Sequence, residues 1–255
     1  MIFINIFLLN TTALKLAIEN ENYDILNYLL NLPEIEIGSK CLSFCHKLIQ
    51  FKVPTTVTFI GDFAFEYCEN LKIIEITSSV TKIGDNAFNG CKSLEKIIIP
   101  SSVTSIGELS FRNFSLLKEF IIPPCITKID MHEFNGCSSL TKIEIPSSVT
   151  SIDKFAFCNC SSLKQITIPP LITSIEEGTF SGCTSLQIVN IPNSVKTIGI
   201  DAFSGCISLV NIIIPSSVNE IDFTSFKNCT SLNKIIYKND IENLKIIGEI
   251  PEKLK

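Results

Sequence analysis

Cys41, Cys45 and His46 form a compact Cys-x3-Cys-His set whose residue types could present two thiolates and an imidazole to zinc. Structural zinc sites take four ligands, with a second pair close by. No second pair matches here, so no metal is expected and no cofactor is assigned. The other histidine, His132, stands 86 residues further on, too far along the chain to share a centre with His46. Serines and threonines supply many hydroxyls, but neither histidine is aligned to serve one as a base. Glycines are scattered singly through turns, and no GxxxxGK phosphate loop occurs. No catalytic constellation emerges, and the chain is expected not to be an enzyme.

A repeat positions these residues. From Phe65 the same residue type recurs at Phe88, Phe111, Phe134, Phe157, Phe180, Phe203 and Phe226, in steps of 23 without insertion or deletion. Cys follows three residues after Phe, with Phe114 replacing it once, and Leu follows three after that. Next come an apolar position (Ile74, Ile97, Phe120, Ile143, Ile166, Val189, Ile212, Ile235) and a second one two residues on. Pro usually closes that run, and a Val-x-x-Ile segment follows. Projected backwards, the register catches Cys45, Leu48, Val53, Val57 and Ile60, so one degenerate repeat precedes eight regular ones. A fixed period of this kind means stacked structural units. About seven large apolar side chains per repeat are worth roughly 10–20 kcal/mol on full burial. Ordering each backbone residue costs roughly 1–2 kcal/mol, so one repeat cannot stay folded without neighbours.

Within a unit, Leu-x-x-Ile-x-Ile-Pro reads as a short strand with alternating side chains. Pro ends it because it has no N–H for a ladder. Val-x-x-Ile reads as a second extended run, and the DAFSGC-like stretch as a turn or single helical turn. Parallel strands stack about 4.8 Å apart, which makes nine repeats a rod or arc roughly 40 Å long. The fold class is therefore a leucine-rich-repeat solenoid, mainly β, with a short helical cap at its N-terminus.

Eight of the eleven cysteines lie on the 23-residue ladder. Their Cβ vectors run side by side, which would strain a bridge, and free Cys is among the most buried residue types. A column of buried thiols is expected, with Cys41, Cys125 and Cys158 off the ladder and open to oxidation. Sequons at Asn10, Asn113, Asn159 and Asn228 arise mostly from the repeat itself, since three fall in the same turn.

Hydrophobic residues make up 45% and charged residues only 18%, so Ser, Thr and Asn must cover much of the surface. The net charge of -5 is spread without a basic block, which argues against nucleic acid as a partner. No stretch reaches the roughly 18 apolar residues that span a bilayer. The opening MIFINIFLLNTTALKLAI is apolar like a signal peptide but lacks a basic start and a small-x-small cleavage site.

Phrases such as IPSSVTSIDKFAFCNCSSLKQITIP, from Ile145 to Pro169, resemble the BspA-like leucine-rich repeats of bacterial and protist surface antigens. That resemblance implies a cell-surface adhesin or antigen contacting host or matrix proteins. It defines no single binding residue. A shorter stretch, TTALKLAIENENYDILNYLLN from Thr11 to Asn31, is similar to one ankyrin repeat, with Lys15 where that repeat has His. The expected organisation is an ankyrin-like helical cap over 1–36, the solenoid over 37–237 and a C-terminal cap over 238–255, where the register breaks.

The residues flanking the central apolar position of each strand must point outward. They are Ile73 and Glu75, Lys96 and Ile98, Glu119 and Ile121, Lys142 and Glu144, Gln165 and Thr167, Ile188 and Asn190, Asn211 and Ile213, Lys234 and Ile236. β-Branched residues suit sheets anywhere, which accounts for some of these isoleucines. The functional reading is a broad face with apolar anchors and charged neighbours that engages protein ligands. Two settings fit: a surface-associated adhesin, or an intracellular scaffold combining ankyrin-like and leucine-rich repeats, cytoplasmic if the missing signal peptide is taken at face value.

Overall fold

The computed structural model describes residues 12–32, 36–237 and 245–247. Two sets of short parallel strands, numbered in chain order, wind alternately along one axis. The first set holds β1 (Gln50–Lys52), β3 (Ile73–Glu75), β5 (Lys96–Ile98), β7 (Glu119–Ile121), β9 (Lys142–Glu144), β11 (Gln165–Thr167), β13 (Ile188–Asn190), β15 (Asn211–Ile214) and β17 (Lys234–Tyr237). The second holds β2 (Phe59–Ile60), β4 (Lys82–Ile83), β6 (Ser105–Ile106), β8 (Lys128–Ile129), β10 (Ser151–Ile152), β12 (Ser174–Ile175), β14 (Thr197–Ile198), β16 (Glu220–Asp222) and β18 (Lys245–Ile247). Pairing is parallel and in repeat register, as in Ile73 with Lys96 and Ile74 with Ile97. The Val-x-x-Ile segments form the second set, as expected from the sequence. The last of these strands pairs Ile221 with Ile246, a step of 25, so the ladder continues where the sequence register breaks. The rest of the expected C-terminal cap, the Asn10 sequon and most of the apolar N-terminal run lie outside the described residues.

Each turn of the solenoid closes on its own carbonyls. The Pro that ends a first-set strand accepts from the N–H three residues on, as Pro146 O does from Val149 at 3.1 Å and Pro169 O from Ile172 at 3.2 Å. Pro thus stops the ladder and starts the corner. The opposite corner needs left-handed backbone. Asn86, Leu109, His132 and Phe155 lie at φ between 54° and 57°, and four residues on Gly90, Asn113, Gly136 and Asn159 lie at 60° to 77°. Gly and Asn adopt that region cheaply, which explains why this column is Gly or Asn at every turn from Gly90 to Asn228, whereas Phe44 and Tyr67 take it in the first two. The bulky residues of the first column are held there against their preference. In that column Gly178 makes room for its neighbour, since a Cβ on it would meet the Phe155 ring at 2.3 Å.

One apolar core runs the length of the stack. The phenylalanines form a ring column, Phe134–Phe157 at 5.4 Å and Phe157–Phe180 at 5.6 Å, nearly parallel. Where Phe114 and Phe120 depart from the usual Cys and Ile, they pack on Phe111 at 5.7 and 4.7 Å, so aromatic rings replace the thiol at this rung. At the N-terminal end α1 (residues 12–19) and α2 (Tyr23–Leu30) send Leu14, Ala17, Ile18 and Leu29 into the same core. Lys15 Nζ donates to Ser43 O at 2.6 Å, tying α1 to the first rung. The outer side of this pair leaves Leu16, Ile25 and Tyr28 exposed.

Candidate protein-binding face

Strand pleating decides what the first set shows to solvent. From β3 to β13 every central residue is buried and both flanking residues are exposed. The ladder then aligns the flanking residues of successive rungs about 4.8 Å apart in two columns. One reads Ile73, Lys96, Glu119, Lys142, Gln165, Ile188, Asn211, Lys234, and the other Glu75, Ile98, Ile121, Glu144, Thr167, Asn190, Ile213, Ile236. The structure brings all sixteen positions onto one face. Ile236 alone departs from full exposure; it is half-buried in the lengthened terminal strand. Ile98 is 64% exposed and Ile121 81%, so these side chains stand in water with little intramolecular cover.

Some charges on this face are satisfied internally. Lys52 Nζ lies 3.0 Å from Glu75 and Lys142 Nζ 2.7 Å from Glu144. The Lys142 ammonium holds the Glu144 carboxyl below its ordinary range by hydrogen bond and charge. Sequence reasoning missed Gln50 and Lys52, which form the first rung in register with Ile73 and Glu75. The column just before each first-set strand was missed as well, and there Lys72, Glu95, Lys118 and Lys164 are exposed. The signal was present at the same 23-residue step, but these residues precede the extended run and their direction depends on how the chain enters it. Over β1, β3 and β5 the face sinks into a groove of about 680 Å³ lined by Lys52, Ile73, Glu75, Lys96 and Ile98 among others.

The other sequence candidates lie elsewhere. Ladder cysteines are buried, and each thiol from Cys68 onward donates to a backbone carbonyl 26 residues back, as Cys160 does to Phe134 O at 3.3 Å. Burial pushes the Cys68 and Cys137 thiols up to about 12. Cys125 is exposed and Cys158 half-buried, as their off-ladder positions suggest. Cys41, expected to be open to oxidation, is only 3% exposed, because it stands 23 residues before Ala64 in the column of turn residues (Ala64, Ala87, Ser110, Ala156) that is buried in every repeat. Burial raises its thiol to about 12, disfavouring the thiolate that metal binding or oxidation requires. His132 stacks on Phe155 at 5.0 Å and contacts Asn135 through Nδ1 at 2.9 Å. Burial and the Arg112 charge lower its pKa, and the contacts give it a packing role in the turn column. Asn113, Asn159 and Asn228 all sit in the left-handed column of that turn.

These features define a β-solenoid of leucine-rich-repeat type whose broad surface is a strand face. The sequence matches the BspA type leucine rich repeat region in 6 copies over residues 35–164 and 150–248, and the chain belongs to that family. It is similar to a leucine rich cell surface protein from Faecalibacterium prausnitzii, at 33% identity over 80% of this chain and 63% of the other, with a TM-score of 0.58. It is also similar to a leucine-rich repeat protein from Bacteroides ovatus, at 29% identity over 87% and 65%, with a TM-score of 0.67. The pneumococcal vaccine antigen PcpA shares the fold at 22% identity over 86% and 64%, with a TM-score of 0.60. The chain thus spans less than two thirds of each of these proteins. Comparison with curated proteins found no match. Among the described residues no helix is long and apolar enough to cross a membrane.

Proposed function

We propose that this chain is a non-catalytic, surface-associated module that binds host or matrix proteins through the first-set strand face. The observation that carries the reading is the set of exposed isoleucines on that face, led by Ile121 at 81% and Ile98 at 64%. Strand propensity alone does not require them. Thr167 holds the equivalent position in β11 with the same β-branching and no apolar penalty. Each isoleucine is worth roughly 1.5–3 kcal/mol on full burial, free energy that a covering ligand recovers. The likeness to a cell surface protein at 33% identity supports the setting. Along the chain, 1–36 acts as the helical cap, 37–237 as the binding solenoid and 238–255 as the closing cap. The helix pair's apolar contribution to the solenoid core supports its capping role.

The test compares two triple variants on a panel of immobilised extracellular matrix proteins. Ile98→Ser, Ile121→Ser and Ile213→Ser together should abolish binding while circular dichroism shows an intact fold. Thr104→Ala, Thr127→Ala and Thr150→Ala, exposed beside the second strand set, should leave it unchanged. Loss with the threonine triple and retention with the isoleucine triple would move the binding surface to the other side. Staining of intact, unpermeabilised cells checks the surface setting, and signal confined to permeabilised cells would favour the intracellular scaffold.

A further inference from the structure

The charge on the strand face has the opposite sign to the charge on the chain. Counting the two flanking columns and the column just before each strand, the face carries seven lysines against four glutamates. The chain as a whole is at -5, so the acidic excess lies elsewhere in the sequence. Two of the seven lysines are neutralised in place, Lys52 by Glu75 and Lys142 by Glu144. Lys72, Lys96, Lys118, Lys164 and Lys234 form no ion pair among the described residues. Each is exposed, and each stands within a rung or two of an exposed isoleucine.

The two properties converge in the groove over β1, β3 and β5. Ile73 and Ile98 occupy diagonal positions in it, 57% and 64% exposed. Lys72, Lys96 and Glu95 line the same groove, as does the Lys52–Glu75 pair. With Lys52 and Glu75 paired, the groove's remaining charges are Lys72 and Lys96 against Glu95, and this net positive charge beside exposed apolar surface selects a partner that offers the complement. The geometry points to an acidic, aliphatic segment of a protein ligand, lying extended across these rungs with its carboxylates on Lys72 and Lys96 and its apolar side chains on Ile73 and Ile98. This assignment rests on the strand-face reading above and names the chemistry of its partner. Nucleic acid fits the face less well, because Glu75, Glu95 and Glu119 interrupt the lysines, while phosphate binding needs them contiguous.

The probes are three fluorescein-labelled short peptides, one alternating Asp and Leu, one alternating Lys and Leu and one alternating Asp and Ser, together with a fluorescein-labelled single-stranded oligonucleotide. Fluorescence anisotropy on the full chain should show binding of the Asp/Leu peptide alone. Its affinity should fall about tenfold or more in a Lys72→Glu/Lys96→Glu variant, and similarly in Ile73→Ser/Ile98→Ser. It should weaken at roughly 1 M salt, where the Debye length is about 3 Å. Lys196→Glu, exposed beside the second strand set, should have no effect. Equal binding of the Lys/Leu peptide, or an affinity indifferent to the Lys72/Lys96 reversal, would overturn the assignment. Oligonucleotide binding that survives Ile73→Ser/Ile98→Ser would show a generic polyanion surface instead. Matrix-protein binding lost with the Ile98/Ile121/Ile213 triple but untouched by the charge reversal would leave the strand-face reading standing and remove only the acidic partner.

Discussion

Leu163 and Lys164 are adjacent in sequence and opposite in environment, which makes the pair a strict test of the repeat register. Leu163 is fully buried between Leu140 and Leu186 of the neighbouring rungs, whereas Lys164 is exposed. Truncating Leu163 to Ala removes three carbons, at about 0.8 kcal/mol of transfer free energy each, or roughly 2.4 kcal/mol. The cavity adds to this according to how far the surroundings collapse. Collapse is restricted here. The rungs on either side are fixed by inter-repeat hydrogen bonds, such as Ser162 N–H to Ser138 O at 3.1 Å and Gln187 N–H to Lys164 O at 2.8 Å. The cost should therefore fall in the upper part of the usual range, about 3–5 kcal/mol. Lys164→Ala deletes an exposed side chain with no ion pair among the described residues and leaves its carbonyl bonds intact, so it should cost less than about 0.5 kcal/mol. Urea unfolding followed by circular dichroism measures both. Comparable losses at the two positions would mean that the in–out alternation is misassigned, and the strand face with it.

Native-state alkylation followed by mass spectrometry should modify Cys125 and Cys158 first. The nine buried thiols should react only after denaturant is added, since burial both shields them and disfavours the thiolate. A Cys183–Cys206 disulfide in freshly purified protein would contradict the carbonyl-bonded thiol column. Glu133 occupies a column otherwise filled by Ala, Ser, Thr and, at its first position, Cys41, is 2% exposed, and accepts from Asp130 N–H at 2.9 Å. Burial raises its carboxyl pKa well above the ordinary value, so folding binds a proton that the unfolded chain releases. Its contribution is whole below the unfolded Glu value, near 4.5, and declines as pH rises through the folded one. Glu133→Gln should therefore gain stability relative to wild type as pH goes from 5 towards 8 in urea titrations. A constant or shrinking difference would show that the carboxylate is ionised and compensated.

Periodicity by itself makes the fold legible. With Phe, Cys, Leu and Ile returning every 23 residues, only stacking buries them all, and a parallel ladder then fixes which strand neighbours face water. Both strand sets, the buried thiols from Cys45 to Cys229 and the exposed positions from Ile73 to Ile213 follow from that rule alone. Three features required the tertiary structure. Cys41 is buried because it stands one 23-residue step before Ala64, in a turn column whose inward direction the strand alternation does not set. Leu109, His132 and Phe155 take left-handed backbone against their own preference, because the corner is imposed by the rungs above and below. The third is the basic strand face of an acidic chain. Net charge is a sum over the sequence, whereas the field a ligand meets is a sum over one side. Lys72, Lys118 and Lys164 join that side only once the chain's entry into each strand is set in space.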